Sequence, residues 1–220
     1  YVDGEWRDAV AGGRREIRCS ADGTLSATVS EGTRPDTEAA IAAARRAFDE
    51  GPWPGTPERE RGALLLRTAD ILERDAKEFA RAESLDTGKR LVESEYDIAD
   101  VVSCFRYYGG IAGTDAGRVI DTGRDDASSR GVLEPIGGCG LLTPLDYPLL
   151  QGRSEGAPAL PAGNTFVLKP SELTPSTSIL LLKALEEAGL PAGVGNLVLG
   201  TGPEAGAPLS ESPDVDMVSF

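Results

Sequence analysis

Four groups of residues have types and spacings that could do chemistry. In Phe166-Val167-Leu168-Lys169-Pro170-Ser171-Glu172 an ammonium and a carboxylate stand three residues apart at the end of an apolar run. Lys donates hydrogen bonds and ionised Glu accepts them, a combination suited to gripping a sugar diol; by position alone a solvated turn explains the same residues. Gly200-Thr201-Gly202-Pro203-Glu204-Ala205-Gly206 is a glycine-rich turn. It is a weak nucleotide signal, because many strand–helix turns need glycine for steric reasons only. Asp146, Arg153 and Glu155 form the third group. On a helix starting near Tyr147, positions 146, 150 and 153 fall on one side, so Asp146 and Arg153 could share an acid–base cleft. The plainer reading makes Asp146 a helix N-cap ahead of Pro148. The fourth group is the cysteines. Cys139, in an apolar glycine-rich strand, reads as a buried, inert thiol, Cys104 as core, and Cys19 as a strand residue.

Composition excludes several alternatives. Histidine is absent, so these residues hold no Ser–His–Asp triad, His-ligated metal or imidazole base. Three cysteines without a CxxC spacing indicate neither a disulfide framework nor a zinc site, and a reducing cytoplasm is the expectation. Lys and Arg number 22 against 36 Asp and Glu, a net charge of −14, which repels a phosphate backbone and argues against nucleic acid. No apolar run approaches the ~20 residues that span a bilayer, and no signal peptide opens the chain, so no membrane partner is expected. The first residue is Tyr1 and not Met, so neither end is read as natural. With 220 residues, 40% of them hydrophobic, the chain has room for one packed core.

The elements that must position these groups follow from periodicity. Residues 1–30 alternate apolar and polar steps around Gly12-Gly13 and Asp22-Gly23, a β-meander. A helical segment spans 33–113. Its first helix starts at Thr33-Arg34-Pro35-Asp36, and a second, capped by Thr56-Pro57, carries apolar residues from Leu64 to Ala80. A third runs from Leu91 to Ile111. Val119-Ile120 and Gly131 to Leu133 read as paired strands of a β-hairpin arm over 117–134. From 135 to 220, apolar strands (Gly140–Leu142, Phe166–Leu168, Asn196–Leu199, Val215–Phe220) alternate with helical stretches (Tyr147–Leu160, Pro175–Gly189, Pro203–Glu211). Strands apolar throughout, alternating with helices, predict a parallel sheet with crossovers. The fold class is therefore α/β: a partial Rossmann-like parallel sheet with flanking helices, preceded by the meander and helices. Lys169 then sits at the carboxyl end of a parallel strand, where such sheets bind ligands.

The chain resembles the aldehyde dehydrogenase superfamily over essentially its whole length. The resemblance rests on Tyr1-Val2-Asp3-Gly4-Glu5-Trp6, Leu85-Asp86-Thr87-Gly88-Lys89, Arg106-Tyr107-Tyr108, Glu134-Pro135-Ile136-Gly137, Ala157-Pro158-Ala159-Leu160, the run Ala162 to Glu172, and Val215 to Phe220. It looks most like the betaine-aldehyde-type branch. The resemblance implies NAD-dependent oxidation of an aldehyde to an acid, with Lys169 and Glu172 on the adenosine ribose and Glu172 favouring NAD over NADP. Thr143, Pro144 and Ser171 would line the cofactor cleft, and Gly202 would lie beside the adenine. Family members are longer, so these residues look like an amino-terminal half without the catalytic Cys and Glu: an incomplete aldehyde dehydrogenase fold.

Inside that half the sequence departs from the family. Pro144-Leu145-Asp146-Tyr147-Pro148 places a carboxylate where the family has an Asn whose amide stabilises the developing oxyanion. Arg153-Ser154-Glu155, flanked by Gly152 and Gly156, replace a Trp-Lys-apolar run. Removing one oxyanion donor costs about 10²–10³ in rate, so no dehydrogenase activity is expected from this chain alone. Three readings follow: half of a working enzyme, a non-catalytic binding or scaffold protein, or a protein repurposed for acid–base chemistry by Asp146 with Arg153 and Glu155. A sheet cut after its fourth strand exposes an apolar edge, so a homodimer, higher oligomer or second covering chain is expected, besides a small-molecule ligand.

Overall fold

The computed structural model describes residues 1–114 and 117–220. Its centre is a four-stranded parallel sheet of β5 (Gly138–Leu142), β6 (Thr165–Lys169), β7 (Gly195–Leu197) and β8 (Met217–Ser219), in the spatial order β7-β6-β5-β8. The chain moves outward from β5 to β6 to β7, then crosses back to add β8 on the other side of β5. The strand order reverses there, so the crevice between the carboxyl ends of β5 and β8 is the switch point at which open α/β sheets bind ligands.

Alternation along the strands separates two layers. Phe166 and Leu168 of β6, with Cys139 and Leu141 of β5, join the larger core with α2 (Glu58–Arg74), α4 (Leu91–Ile111), α5 (Pro148–Ala159) and α6 (Ser176–Glu187). Val167 faces the other way, into a smaller core with α1 (Arg34–Asp49) and α7 (Ala207–Glu211). A side-chain period of two then carries Lys169 to the α1/α7 face. On that face the Thr165 hydroxyl donates to Ala44 O at 3.0 Å, which ties the strand to α1.

Several boundaries follow the sequence closely and others do not. α1 begins as expected: Asp36 Oδ2 accepts the Thr33 N–H at 2.9 Å. The expected helix from Thr56-Pro57 to Ala80 is instead two, α2 and α3 (Ala76–Thr87), divided at Asp75. Leu72, Ala76 and Phe79 keep their spacing through that bend, so apolar periodicity does not register it. Thr56 is not the cap of α2 either; Pro57 is the capping residue, and the Thr56 hydroxyl donates to Pro52 O at 2.9 Å. The meander is a single hairpin of β1 (Arg14–Arg18) and β2 (Leu25–Ser30), with an isolated bridge between Val2 and Glu5. In the arm, β3 (Arg118–Ile120) pairs with β4 (Ser129–Gly131), which overlaps the expected strand Gly131–Leu133 only at Gly131. Val132 and Leu133 are 70% and 76% exposed; no core lies beneath the arm to make apolarity mark the strand.

Much of the family-like sequence is scaffold. Asp86, in Leu85-Asp86-Thr87-Gly88-Lys89, accepts the Ser176 N–H and hydroxyl, each at 2.9 Å, and so caps α6 from another helix. Asn164 Oδ1 accepts the N–H groups of Ile136 (2.7 Å) and Gly137 (3.0 Å), which fixes the entry to β5. The buried Arg61 donates to the carbonyls of Pro161, Pro54 and Thr56. β7 is covered on its outer side by Tyr1, whose N and O bond Leu197 at 2.9 and 2.8 Å. β8 has no outer neighbour among the described residues, and Phe220 is 94% exposed.

Candidate functional site

Lys169 ends β6 with its side chain only 8% exposed, and its Nζ lies 3.6 Å from Glu172 Oε2. Burial pulls the Lys169 ammonium below the usual lysine range, while the Glu172 carboxylate pushes it back up. Pro170 stops the strand, and Ser171 turns the chain, its Oγ accepting the Leu173 N–H at 3.3 Å. The aliphatic stem of Lys169 lies over Gly206, where an added Cβ would come within 3.6 Å of Lys169 Cδ. Gly206 closes a π-helical turn, Gly202–Gly206, that precedes α7; the expected helix Pro203–Glu211 is this turn followed by α7. The turn starts from a tight crossing: a Cβ on Gly200 would meet Gly32 O at 2.4 Å, and Gly200 has φ +155°. Lys169 thus meets Glu172 through its ammonium and the Gly202–Gly206 turn through its stem.

A second charged pair stands beside them. Arg15 of β1 forks onto Glu31 with Nε and Nη2 at 2.5 and 2.6 Å, and each pair perturbs the other: Glu31 raises the Lys169 pKa and Glu172 raises that of Arg15. Sequence reasoning missed this pair, because Arg15 and Glu31 belong to a hairpin more than 130 residues away from Lys169. Thr143, just past β5, is buried, and its Oγ1 has no hydrogen-bond partner among the described residues. Its N–H donates to Lys169 O at 3.1 Å, so the ends of β5 and β6 are linked. Pro144 is exposed beside it.

Asp146, Arg153 and Glu155 do not form one pocket. Asp146 is exposed, in a cleft of about 540 Å³ shared with Lys89, Glu93, Tyr96, Asp97 and Tyr147. Arg153 lines a different cleft, of about 470 Å³, with Asp100, Ser103 and Tyr107; its Nε donates to Leu150 O at 3.0 Å. Glu155 points elsewhere again: burial raises its pKa, the Ser219 hydroxyl on β8 lowers it, and its Oε2 is buried without a hydrogen-bond partner among the described residues. The helical spacing gave the angle about the α5 axis, but α4 packs against α5, and different turns of α4 line the two clefts. Asp146 is not the N-cap of α5 either; Tyr147 is, with φ −135° and ψ 61°.

All three cysteines are buried. For Cys139, burial pushes the thiol up to about 11, helped by the nearby Asp216 carboxylate. A thiol in that state is neither nucleophile nor metal ligand at neutral pH. Treatment of the folded protein with an aromatic disulfide reagent at pH 8 is therefore expected to release less than about one-tenth of the thiol that denaturant exposes; rapid labelling of Cys139 would show the strand to be open. Among the described residues no cluster of three His, Cys, Asp or Glu could hold a metal, and no helix is long and apolar enough to cross a membrane.

The aldehyde dehydrogenase family profile matches residues 6–220. Among curated proteins, the betaine aldehyde dehydrogenase of Bacillus subtilis strain 168 is 50% identical over 220 residues, which is all of this chain and 45% of that protein. An aldehyde dehydrogenase of Emericella nidulans is 39% identical, with 100% and 44% covered. Among solved structures, the betaine aldehyde dehydrogenase of Staphylococcus aureus in complex with NAD+ superposes with a TM-score of 0.98 at 43% identity, covering 100% of this chain and 44% of that one. The chain thus spans under half the length of the relatives it matches. A profile match over nearly every residue, with the strand order and the Lys169–Glu172 turn in place, leaves one assignment: the chain belongs to the aldehyde dehydrogenase family.

Proposed function

We propose that these 220 residues supply the adenosine side of an NAD site in an enzyme that oxidises an aldehyde to an acid. The observation that carries this reading is the Lys169–Glu172 pair at the carboxyl end of β6. A ribose diol has two hydroxyls, each able to donate and accept. The Lys169 ammonium donates to one, and the Glu172 carboxylate accepts from the same diol. The carboxylate would face a 2′-phosphate with like charge, which favours NAD over NADP. The unpartnered Thr143 Oγ1 and the close Gly206 backbone fit a polar group entering the cleft. NAD, when bound, accepts the hydride; this chain's residues hold and orient it. Asp146, at the family's oxyanion position, slows such an enzyme. With every cysteine of the chain buried, no thiolate nucleophile is offered here.

A covering copy or second chain on the β8 edge and the exposed arm belongs to this proposal. A cytoplasmic, non-redox scaffold is the alternative, and NAD itself separates the two. At 100 times its Kd, NAD should stabilise the folded protein by about 2.7 kcal/mol, a rise of roughly 5–10 °C in Tm for a domain of this size. NADP should do less, and Glu172→Gln or Lys169→Met should remove most of the NAD effect. The same preparation is expected to form no NADH from aldehydes. An NAD-independent Tm would favour the scaffold reading.

A further inference from the structure

Lys89 occupies a position that the proposed cofactor site does not use. Its side chain is only 13% exposed, and its Nζ lies 2.7 Å from Asp97 Oδ2 and 3.4 Å from Glu83 Oε1. Glu83 is fully buried, and its second carboxylate oxygen has no partner among the described residues. The same Nζ sits 4.2 Å from the centroid of the Tyr147 ring. Two carboxylates and a ring face therefore surround one ammonium, drawn from α3, α4 and the loop before α5. A desolvated cation over an aromatic face is held more firmly than an exposed one.

That loop otherwise has few attachments. Pro144 and Pro148 bracket Leu145, Asp146 and Tyr147. The Thr174 hydroxyl reaches Leu145 O only at 3.4 Å, and Asp146 is exposed. The Tyr147 ring is thus the main side-chain anchor of the segment that carries Asp146, and Lys89 is what the ring rests on.

We propose that Lys89, itself fixed by Asp97 and Glu83, is a positioning residue: through the Tyr147 ring it sets the place of Asp146 over the aldehyde cleft. The link to the reacting carbonyl rests on the function proposed above; the anchoring does not. A misplacement of about 1 Å at a reacting centre can lower a rate by ~10²-fold, so loosening this anchor should act on kcat.

Hydrogen exchange at the Gln151 amide, which donates to Tyr147 O at 2.9 Å, tests the anchor, with Tyr147→Leu, Tyr147→Phe and Lys89→Met compared with the parent protein. Tyr147→Leu and Lys89→Met should speed exchange at this amide by about ten-fold or more, while Tyr147→Phe, which keeps the ring, should not. Lys89→Met leaves the buried Glu83 and the half-buried Asp97 unpaired; if it does not fold, Tyr147→Leu, at a half-exposed ring, carries the test. In a chimera with this chain in place of the matching part of the Bacillus subtilis relative, and with Asp146→Asn so that the positioned group donates to the oxyanion, Tyr147→Leu should lower kcat about ten-fold or more and leave the KM for NAD unchanged. Equal exchange in all variants, or Tyr147→Phe behaving as Tyr147→Leu, would overturn the proposal. Failure of the parent protein to respond to NAD would instead count against the cofactor site and leave the exchange result standing.

Discussion

Replacing Asp146 with Asn is expected to raise the kcat of the chimera with the Bacillus subtilis relative by about 10²–10³-fold. The two side chains have nearly the same shape, but the amide donates a hydrogen bond where the carboxylate only accepts. As negative charge develops on the substrate oxygen, an amide aimed at it stabilises the transition state and a carboxylate repels it. The fold should be indifferent to the exchange, because Asp146 is exposed and does not cap α5. Lys89, the cation lining the same cleft, is already held by Asp97 and Glu83. The KM for NAD should stay within about two-fold, since the change acts on the transition state and not on cofactor binding. Steady-state rates of NADH formation for the two chimeras decide the matter; equal kcat values would place Asp146 away from the reacting oxygen.

The second large effect concerns the amino ends of β5 and β8, on the opposite side of the sheet from the crevice. Gly137→Ala is expected to destabilise the protein by about 2–4 kcal/mol, combining a strained backbone with a lost charge-assisted hydrogen bond. Gly137 has φ +134°, and an added Cβ would stand 1.8 Å from Asp216 Oδ2. That carboxylate cannot move freely. It accepts the Gly138 N–H at 2.8 Å and pairs with Arg45 at 2.8 Å, while the Asp216 N–H returns to Gly138 O at 2.9 Å. These bonds clamp the short β8 to β5, which otherwise meets it at only three residue pairs. Urea unfolding of Gly137→Ala beside Asp216→Ala separates the causes: the latter loses the clamp without the backbone strain and should cost less. A Gly137→Ala protein within about 0.5 kcal/mol of the parent would mean that β8 is held by something else.

How much of this could be read beforehand depended on the range of the interaction. The expected helix from Leu91 to Ile111 matches α4 residue for residue, because its apolar side recurs over five turns and a glycine pair marks its end. The strands β5 to β8 lie within a few residues of their expected places, because each is a short apolar run between turn-forming residues. Lys169 and Glu172 meet as expected: both lie on one strand–turn segment, and a strand's period of two decides which face the lysine takes. The arm was read less well, since exposed strands need no apolar alternation, and the bend at Asp75 left the apolar spacing intact.

The site around Asp146 shows the other side. Its residue type was plain, yet neither the cleft it lines nor the separation from Arg153 and Glu155 could be inferred from helical spacing, which describes one helix and not what packs on it. Lys89 beneath Tyr147, Arg15 with Glu31 beside Lys169 and Glu172, and Asp216 against Gly137 are all products of packing between distant segments. The sequence alone determined the strand–helix alternation, the charge and the chemistry of each candidate side chain, because these depend on neighbours a few residues away. The tertiary structure alone decided which charges share a cleft and which backbone atoms leave no room for a side chain. Those outcomes depend on how layers far apart in the sequence pack together, and local periodicity carries no record of that.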